Sequence, residues 1–220
     1  MTIDIHTHRP FLSKADIAVC QTPSPTDRLS DEDTAGAVFV SCGIHPWDVS
    51  PDGWEQQLQT LRADIAACKQ RGQHVAAIGE CGLDTMRGPA PDTQQQCFEA
   101  QLRIAAEMRL PVIIHIVKAF DRLMAVKDLM DRSGATPPAW IIHGFRGKPQ
   151  QALQLMRHGF DLSFGPHFNP DSLREAWFQR RMWLETDDSG LPIQEVYLRA
   201  ATALSLSPED ITVPAMQFLS

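Results

Sequence analysis

The sequence predicts an α/β chain folded as a TIM-type (β/α)8 barrel, with an incomplete outer helix ring near the N-terminus. Two observations carry this. Eight short β-branched or apolar runs punctuate the chain, and most are followed by a stretch of helical periodicity with a recognisable start or stop. Such alternation of strand and helix implies a parallel sheet, and eight strands fit a closed barrel better than the alternative, an open doubly wound sheet.

The first strand is the run Thr2-Ile-Asp-Ile-His-Thr-His8. Lys14–Cys20 reads as the second strand, and the seven residues or so between them are too few for a crossover helix. Residues 21–35 are polar and proline-rich, as a surface loop is. Ala37–Cys42 is a third strand leading into Gly43-Ile-His-Pro-Trp47. Ser50-Pro51 reads as a cap followed by proline at the first helical position. Trp54, Leu58, Leu61, Ile65 and Cys68 then recur at helical spacing as far as Gly72. A fourth strand, Val75–Ile78, delivers Gly79-Glu-Cys-Gly-Leu-Asp84. The loop 85–91 opens a helix over 92–109, with Phe98, Leu102 and Ala105 on one face. Strand Val112–Ile116 precedes helix 119–132, and strand Ala139–His143 precedes helix 149–158, stopped by Gly159. Strand Phe160–Phe164 precedes a helix opened by Asn169-Pro170. Strand Met182–Thr186 precedes a helix opened by Pro192, and a last short helix begins at Ser207-Pro208. With no internal repeat or interdomain linker, residues 1–220 read as one domain.

Composition narrows the function classes. The 220 residues are 43% hydrophobic and 21% charged, with a net charge of −7. No apolar run is long enough for a membrane span, and the N-terminus has no signal-peptide pattern. The five cysteines form no Cys-x-x-Cys pair and read as reduced thiols of a cytoplasmic chain. The negative charge argues against broad coating of nucleic acid, but not against a local site where metal ions supply the positive charge.

Chemistry concentrates at strand ends. Residues i and i+2 of a strand share a face, so His6 and His8 project together and make half of a divalent-metal site. His45 follows the third strand, Glu80 the fourth, His115 ends the fifth, His143 the sixth and Asp187 the eighth. In barrels of this type the C-terminal strand ends carry the active site. Imidazoles and carboxylates without a thiolate suit Zn²⁺, Mn²⁺, Fe²⁺ or Co²⁺ in an open hydrolytic site. The set exceeds the needs of one ion and fits two, with Glu80, on a middle strand of the set, as the natural bridge. A pair of ions lowers the pKa of a shared water toward neutrality, and Asp187, with a second oxygen free, can take its proton. Asp4, on the same strand face as His6, either orients a ligand or pairs with a buried donor. Asp84 reads as a loop tie or a helix cap. Trp47 either stacks on a base or packs beneath its loop. His74 and His158 read as surface histidines, and His167 as a rim residue.

These residues resemble a known family. Asp4-Ile-His-Thr-His8, Gly43-Ile-His-Pro46, Ile78-Gly-Glu-Cys-Gly-Leu-Asp84, the His115 strand, His143-Gly-Phe-Arg-Gly147 and Glu185-Thr-Asp187 look like the ordered motifs of the TatD family of metal-dependent hydrolases. The resemblance runs from residue 3 to about 188. It implies a TIM-type barrel, two divalent metal ions (Zn²⁺, Mn²⁺ or Mg²⁺), and hydrolysis of phosphodiester bonds in DNA by metal-activated water. The family's ligands match His6, His8, Glu80, His115, His143 and Asp187, and His45 would face the substrate. Val117-Lys118 stands where the family has an arginine two residues after the strand-five histidine, Asp188-Ser-Gly follows where a small residue and proline are usual, and the N-terminal third is abbreviated. Lys118 or Arg146 is then the expected phosphate contact. The implied protein is a cytoplasmic monomer whose partner is nucleic acid and not membrane. Two other readings keep the metals: an esterase or amidohydrolase, such as a D-aminoacyl-tRNA deacylase, and a metal-binding protein without turnover.

Overall fold

The computed structural model describes residues 1–22 and 39–214, and these group into two compact units. Most of the loop predicted over 21–35, and the first two residues of the predicted third strand, lie outside the described residues, and the expected gap in the outer helix ring falls partly on them. Strand order in the sheet follows chain order from β1 to β8. No helix among the described residues is long and apolar enough to cross a membrane.

The first unit comprises residues 1–20 and 141–220. It holds β1 (Ile3–Thr7), α1 (Pro10–Ser13), most of β2 (Ile17–Gln21) and most of β6 (Trp140–Ile142). α5 (Pro149–Arg157), β7 (Phe160–Phe164), α6 (Pro170–Phe178), β8 (Met182–Leu184) and α7 (Ile193–Leu204) complete it, ahead of a 3-10 turn at Pro208–Asp210. β1 pairs with β2, and β7 with β8, in parallel. The segment after β8 returns to β1: Asp187 N–H donates to the His6 carbonyl at 3.0 Å and His8 N–H to the Asp187 carbonyl at 3.1 Å. The apolar face of α7 (Ile193, Val196, Tyr197, Ala200) is buried, as its spacing predicts. The Tyr197 hydroxyl accepts from Ile3 N–H at 3.0 Å and so ties this helix to β1. Asn169 caps α6, its side-chain oxygen accepting from Asp171 and Ser172 N–H.

Two expectations change here. A single-turn helix, α1, does fit between β1 and β2, because Pro10 supplies a helical φ and Lys14 ends the turn in the left-handed region at φ 52°. β2 therefore starts at Ile17, not Lys14, and runs on to Gln21. β8 stops at Leu184, so Glu185, Thr186 and Asp187 lie beyond it.

The second unit comprises residues 21–140. It contains β3 (Phe39–Cys42), α2 (Trp54–Gln70), β4 (His74–Asp84), α3 (Pro91–Met108), β5 (Val112–Val117) and α4 (Phe120–Ser133). β3, β4 and β5 pair in parallel around buried Val40, Ile78, Leu83, Ile113 and Ile114, covered by Leu61, Ile65, Phe98 and Leu102 of the helices. Ser50-Pro51 does not open α2. The helix starts at Trp54, because the buried Gln57 amide accepts from Ser50 N–H and donates to the Asp48 carbonyl, both at 2.8 Å, holding that turn outside it. Gly72 closes the helix as expected, at φ 79°. His74 begins β4 half-buried, edge-on to Phe39, rather than on the surface. All five cysteines are free and buried, with the Cys42 and Cys68 sulfurs 4.0 Å apart.

The largest correction is the length of β4. The glycine-rich stretch 79–84 belongs to the strand, which carries one extra residue against β5 between Ile78 and Cys81. Such a bulge turns a side chain out of the regular alternation, and the residue it turns is Glu80. Glycine is required because the backbones nearly touch: a Cβ on Gly82, at φ 147°, would lie 2.0 Å from the His115 carbonyl oxygen. A Cβ on Gly43 would lie 2.7 Å from the Gly79 backbone. Replacing Gly82 by Ala should cost ~3 kcal/mol. In a thermal scan the midpoint should fall by roughly 10 °C; an unchanged midpoint would contradict the close approach.

Candidate metal centres

Each unit carries its own cluster of histidines and carboxylates. In the second unit, Glu80 Oε1 lies 2.7 Å from His115 Nδ1 and 3.1 Å from His45 Nε2. All three side chains are largely buried, and their ligand atoms meet the spacing of a metal site. The backbone sets the His45 tautomer: Trp47 N–H donates to His45 Nδ1 at 3.2 Å. A ring nitrogen that accepts carries no proton, so the neutral ring holds its proton on Nε2, aimed at Glu80. His45 is thereby arranged as a hydrogen-bond donor, whereas Glu80 and His115 present acceptor atoms suited to a cation.

Asp84 does more than tie down its loop. Its Oδ2 accepts from the Trp47 indole at 2.7 Å and lies 3.4 Å from His115 Nε2, while Oδ1 accepts from Met86 N–H at 2.7 Å. Burial pushes this carboxyl upward, but those bonds and the His115 charge outweigh it and hold Asp84 below the usual carboxylate range. A carboxylate on one imidazole nitrogen fixes which nitrogen is left for a metal.

Two glutamines of α3, seven residues apart on one helix face, hold the loops that carry these groups. The Gln101 amide accepts from Ile44 N–H at 2.7 Å and donates to the Ile44 carbonyl at 3.1 Å, next to His45. Gln94 accepts from Asp84 N–H at 2.8 Å and reaches the carbonyls of Asp84, Arg87 and Pro89. Sequence reading missed both. Their only signal is amide side chains recurring on an otherwise apolar face.

In the first unit, His6, His8, His143, Glu185 and Asp187 come together. Asp187 Oδ1 is 3.7 Å from His6 Nε2 and 3.5 Å from His8 Nε2. The His6 ring meets those of His8 and His143 at centroid distances of 5.0 and 4.8 Å. Atoms bound about 2.0–2.2 Å from one ion stand roughly 3–3.7 Å apart, so this spacing fits a cation better than direct hydrogen bonds. Asp187 takes φ 52°. Its two backbone bonds to β1 hold it in that unfavourable region.

Glu185, which sequence analysis gave no role, is fully buried beside His143, with 3.6 Å between Oε1 and Nδ1, and accepts from Gly144 N–H at 2.7 Å. Burial pushes its carboxyl upward, yet the neighbouring imidazoles of His143 and His6 outweigh it, so it stays below its ordinary value. Its Oε2 is buried without a hydrogen bond, an arrangement a nearby cation relieves. For Asp4 the buried-donor alternative holds: it accepts from Ser13 Oγ and from Thr186 N–H and Oγ1, and burial raises it to about 6. Its effect is to fix Thr186, the residue before Asp187.

Lys118 and Arg146 are both exposed, and neither side chain makes an ion pair with the described residues. His158 and His167 are exposed too.

The family model described as TatD related DNase matches residues 17–191. The "3'-5' ssDNA/RNA exonuclease TatD" of Citrobacter rodentium is 36% identical over 123 residues, covering 55% of this chain and 43% of that protein. Its namesake from Escherichia coli K12 is 34% identical over 123 residues, with 55% and 44% covered. The matched stretch thus spans less than half the length of either relative. The crystal structure of YJJV, a TatD homologue from E. coli K12, superposes with a TM-score of 0.72 at 22% identity, covering 95% of this chain and 92% of that one. A TatD family hydrolase from Entamoeba histolytica gives 0.70 at 15% identity, covering 94% and 92%. These structures share the α/β barrel fold with this chain.

If Asp84 sets the His115 tautomer, Asp84→Asn should weaken binding of Zn²⁺ or Mn²⁺ by about 10–100-fold. Calorimetric titration of protein stripped of metal checks this; equal affinity would remove Asp84 from the metal centre.

Proposed function

The chain belongs to the TatD related DNase family, and on that premise we propose that it is a metal-dependent phosphodiesterase acting on single-stranded nucleic acid, with DNA as the first substrate to test. The observation that carries this reading is the pair of imidazole–carboxylate clusters, each spaced for a divalent ion. The activity on single-stranded DNA and RNA for which the relatives are named favours a phosphodiester over an aminoacyl ester.

We assign one ion to each cluster. His6, His8, His143 and Asp187 hold the first, and Glu80 and His115 the second. Nitrogen and oxygen donors without thiolate suit Zn²⁺, Mn²⁺ or Mg²⁺. When bound, such ions polarise the phosphoryl oxygens and make water acidic enough to attack near neutral pH.

The protein's own groups have distinct tasks. Asp187 is partly exposed and has a second carboxylate oxygen, so it takes the proton released by the attacking water. The Nε2 proton of His45, fixed by the Trp47 backbone, points at Glu80 as the side chains stand; with a cation on that carboxylate it would be free to donate to an oxygen of the scissile phosphate. Glu185 is buried behind His143 and supplies negative charge that offsets the cation. Lys118 and Arg146 are exposed cations available to flanking phosphates.

Protein treated with EDTA should cleave no labelled single-stranded oligonucleotide, and adding Mn²⁺ or Zn²⁺ should restore cleavage. Asp187→Asn should lower kcat by about 10²–10⁴-fold. Its circular dichroism should not change, because asparagine also tolerates the left-handed region. Cleavage that survives chelation, or an active Asp187→Asn protein, would overturn the proposal.

A further inference from the structure

Arg87 lies in the loop between β4 and α3, exposed, and its side chain pairs with no carboxylate among the described residues. It is nevertheless held at both ends. Its carbonyl accepts from Gln94 at 2.8 Å. Its guanidinium carbon lies 4.6 Å from the centroid of the Trp47 ring. The loop is pressed onto the turn that carries His45: a Cβ on Gly88, at φ 81°, would come within 2.5 Å of the Pro46 carbonyl oxygen. Trp47 is itself fixed by its indole bond to Asp84, the carboxylate that also touches His115, and its ring meets the His45 ring edge-on at 4.6 Å.

The cation thus stands one aromatic ring away from the His45–Glu80–His115 cluster. A free arginine samples many rotamers and loses that freedom on binding. One already stacked on an indole has less to lose, and it presents a planar fork that matches phosphate. In a chain of net charge −7, an unpaired guanidinium at this place is a local attraction for anions. Met86, exposed beside it, adds an apolar surface against which a base can rest.

We propose that Arg87, laid on Trp47, clamps a backbone phosphate of single-stranded nucleic acid next to the scissile one. The assignment rests on the phosphodiesterase reading for its substrate class. Arginine stacked on an aromatic ring beside a track for phosphates is a recurrent way of holding single strands.

The test measures equilibrium binding of a fluorescein-labelled phosphorothioate oligodeoxynucleotide to metal-loaded protein, by anisotropy over a range of salt. Arg87→Ala should raise Kd about tenfold or more, the loss of one charge-assisted contact. It should also reduce the slope of log K against log salt by about 0.7, the value for one phosphate on a single strand. Arg87→Lys should keep the slope but recover only part of the affinity. Trp47→Leu should weaken binding too, and the double variant should bind no worse than the weaker single variant, since the two residues act together. Arg103→Ala, which removes an arginine paired with Glu99 on α3, should change neither quantity.

An Arg87→Ala protein with wild-type Kd and salt slope overturns the proposal. So do strictly additive losses in the double variant, or wild-type protein that binds no oligonucleotide. Wild-type protein that binds through Arg87 yet cleaves nothing with any metal rejects the nuclease reading alone and leaves the clamp standing.

Discussion

Glu80 reaches two imidazoles because three strand segments approach more closely than a Cβ allows. At Gly43, Gly79 and Gly82 the backbones of neighbouring segments are within the space a side chain would fill. The extra residue in β4 then turns Glu80 toward His45 and His115. A carboxylate that is nearly fully buried is costly unless paired. The packing that buries it therefore also dictates its partners. The rest of the second unit serves this arrangement: Gln101 fixes the residue before His45, Gln94 fixes the loop after Asp84, and Asp84 fixes His115.

The carboxylates divide by environment. Glu80 and Asp187 face groups that bind or react. Asp84, Asp4 and Glu185 stand behind them, each holding a neighbour in place through hydrogen bonds. Burial acts on all three, with different outcomes. Asp4, whose partners are neutral hydroxyls and an amide, is raised to about 6. Asp84 and Glu185, each beside a histidine, stay below their ordinary values. For Asp84 the Trp47 indole and Met86 N–H outweigh a modest desolvation, with His115 adding to them, whereas for Glu185 the neighbouring imidazoles of His143 and His6 do so.

Much of this was legible in the chain. The i, i+2 spacing of His6 and His8 placed both beside one carboxylate, and the helix signals at Gly72, Asn169 and Gly159 held. Ser50-Pro51 misled, because a capping signature has no force against the Gln57 amide that pulls the preceding turn away from the helix axis. The stretch 79–84 misled in the other direction. Its glycines read as strand-ending, yet they let β4 continue because the contact they permit is with a neighbouring strand. Lys118 and Arg146 were singled out by position relative to motifs. Arg87 was passed over, because its orientation depends on an indole forty residues earlier.

The sequence by itself determined the fold class, the family and the types of ligand, because strand and helix periodicity, glycine placement and the histidine and acid motifs are local in the chain. The tertiary structure alone decided which acids meet two imidazoles and which stand behind them, which nitrogen of His45 is left for the proton, and which cation lies beside the site. Those properties are set by distances between residues far apart in the chain, and by the burial that makes each hydrogen bond count.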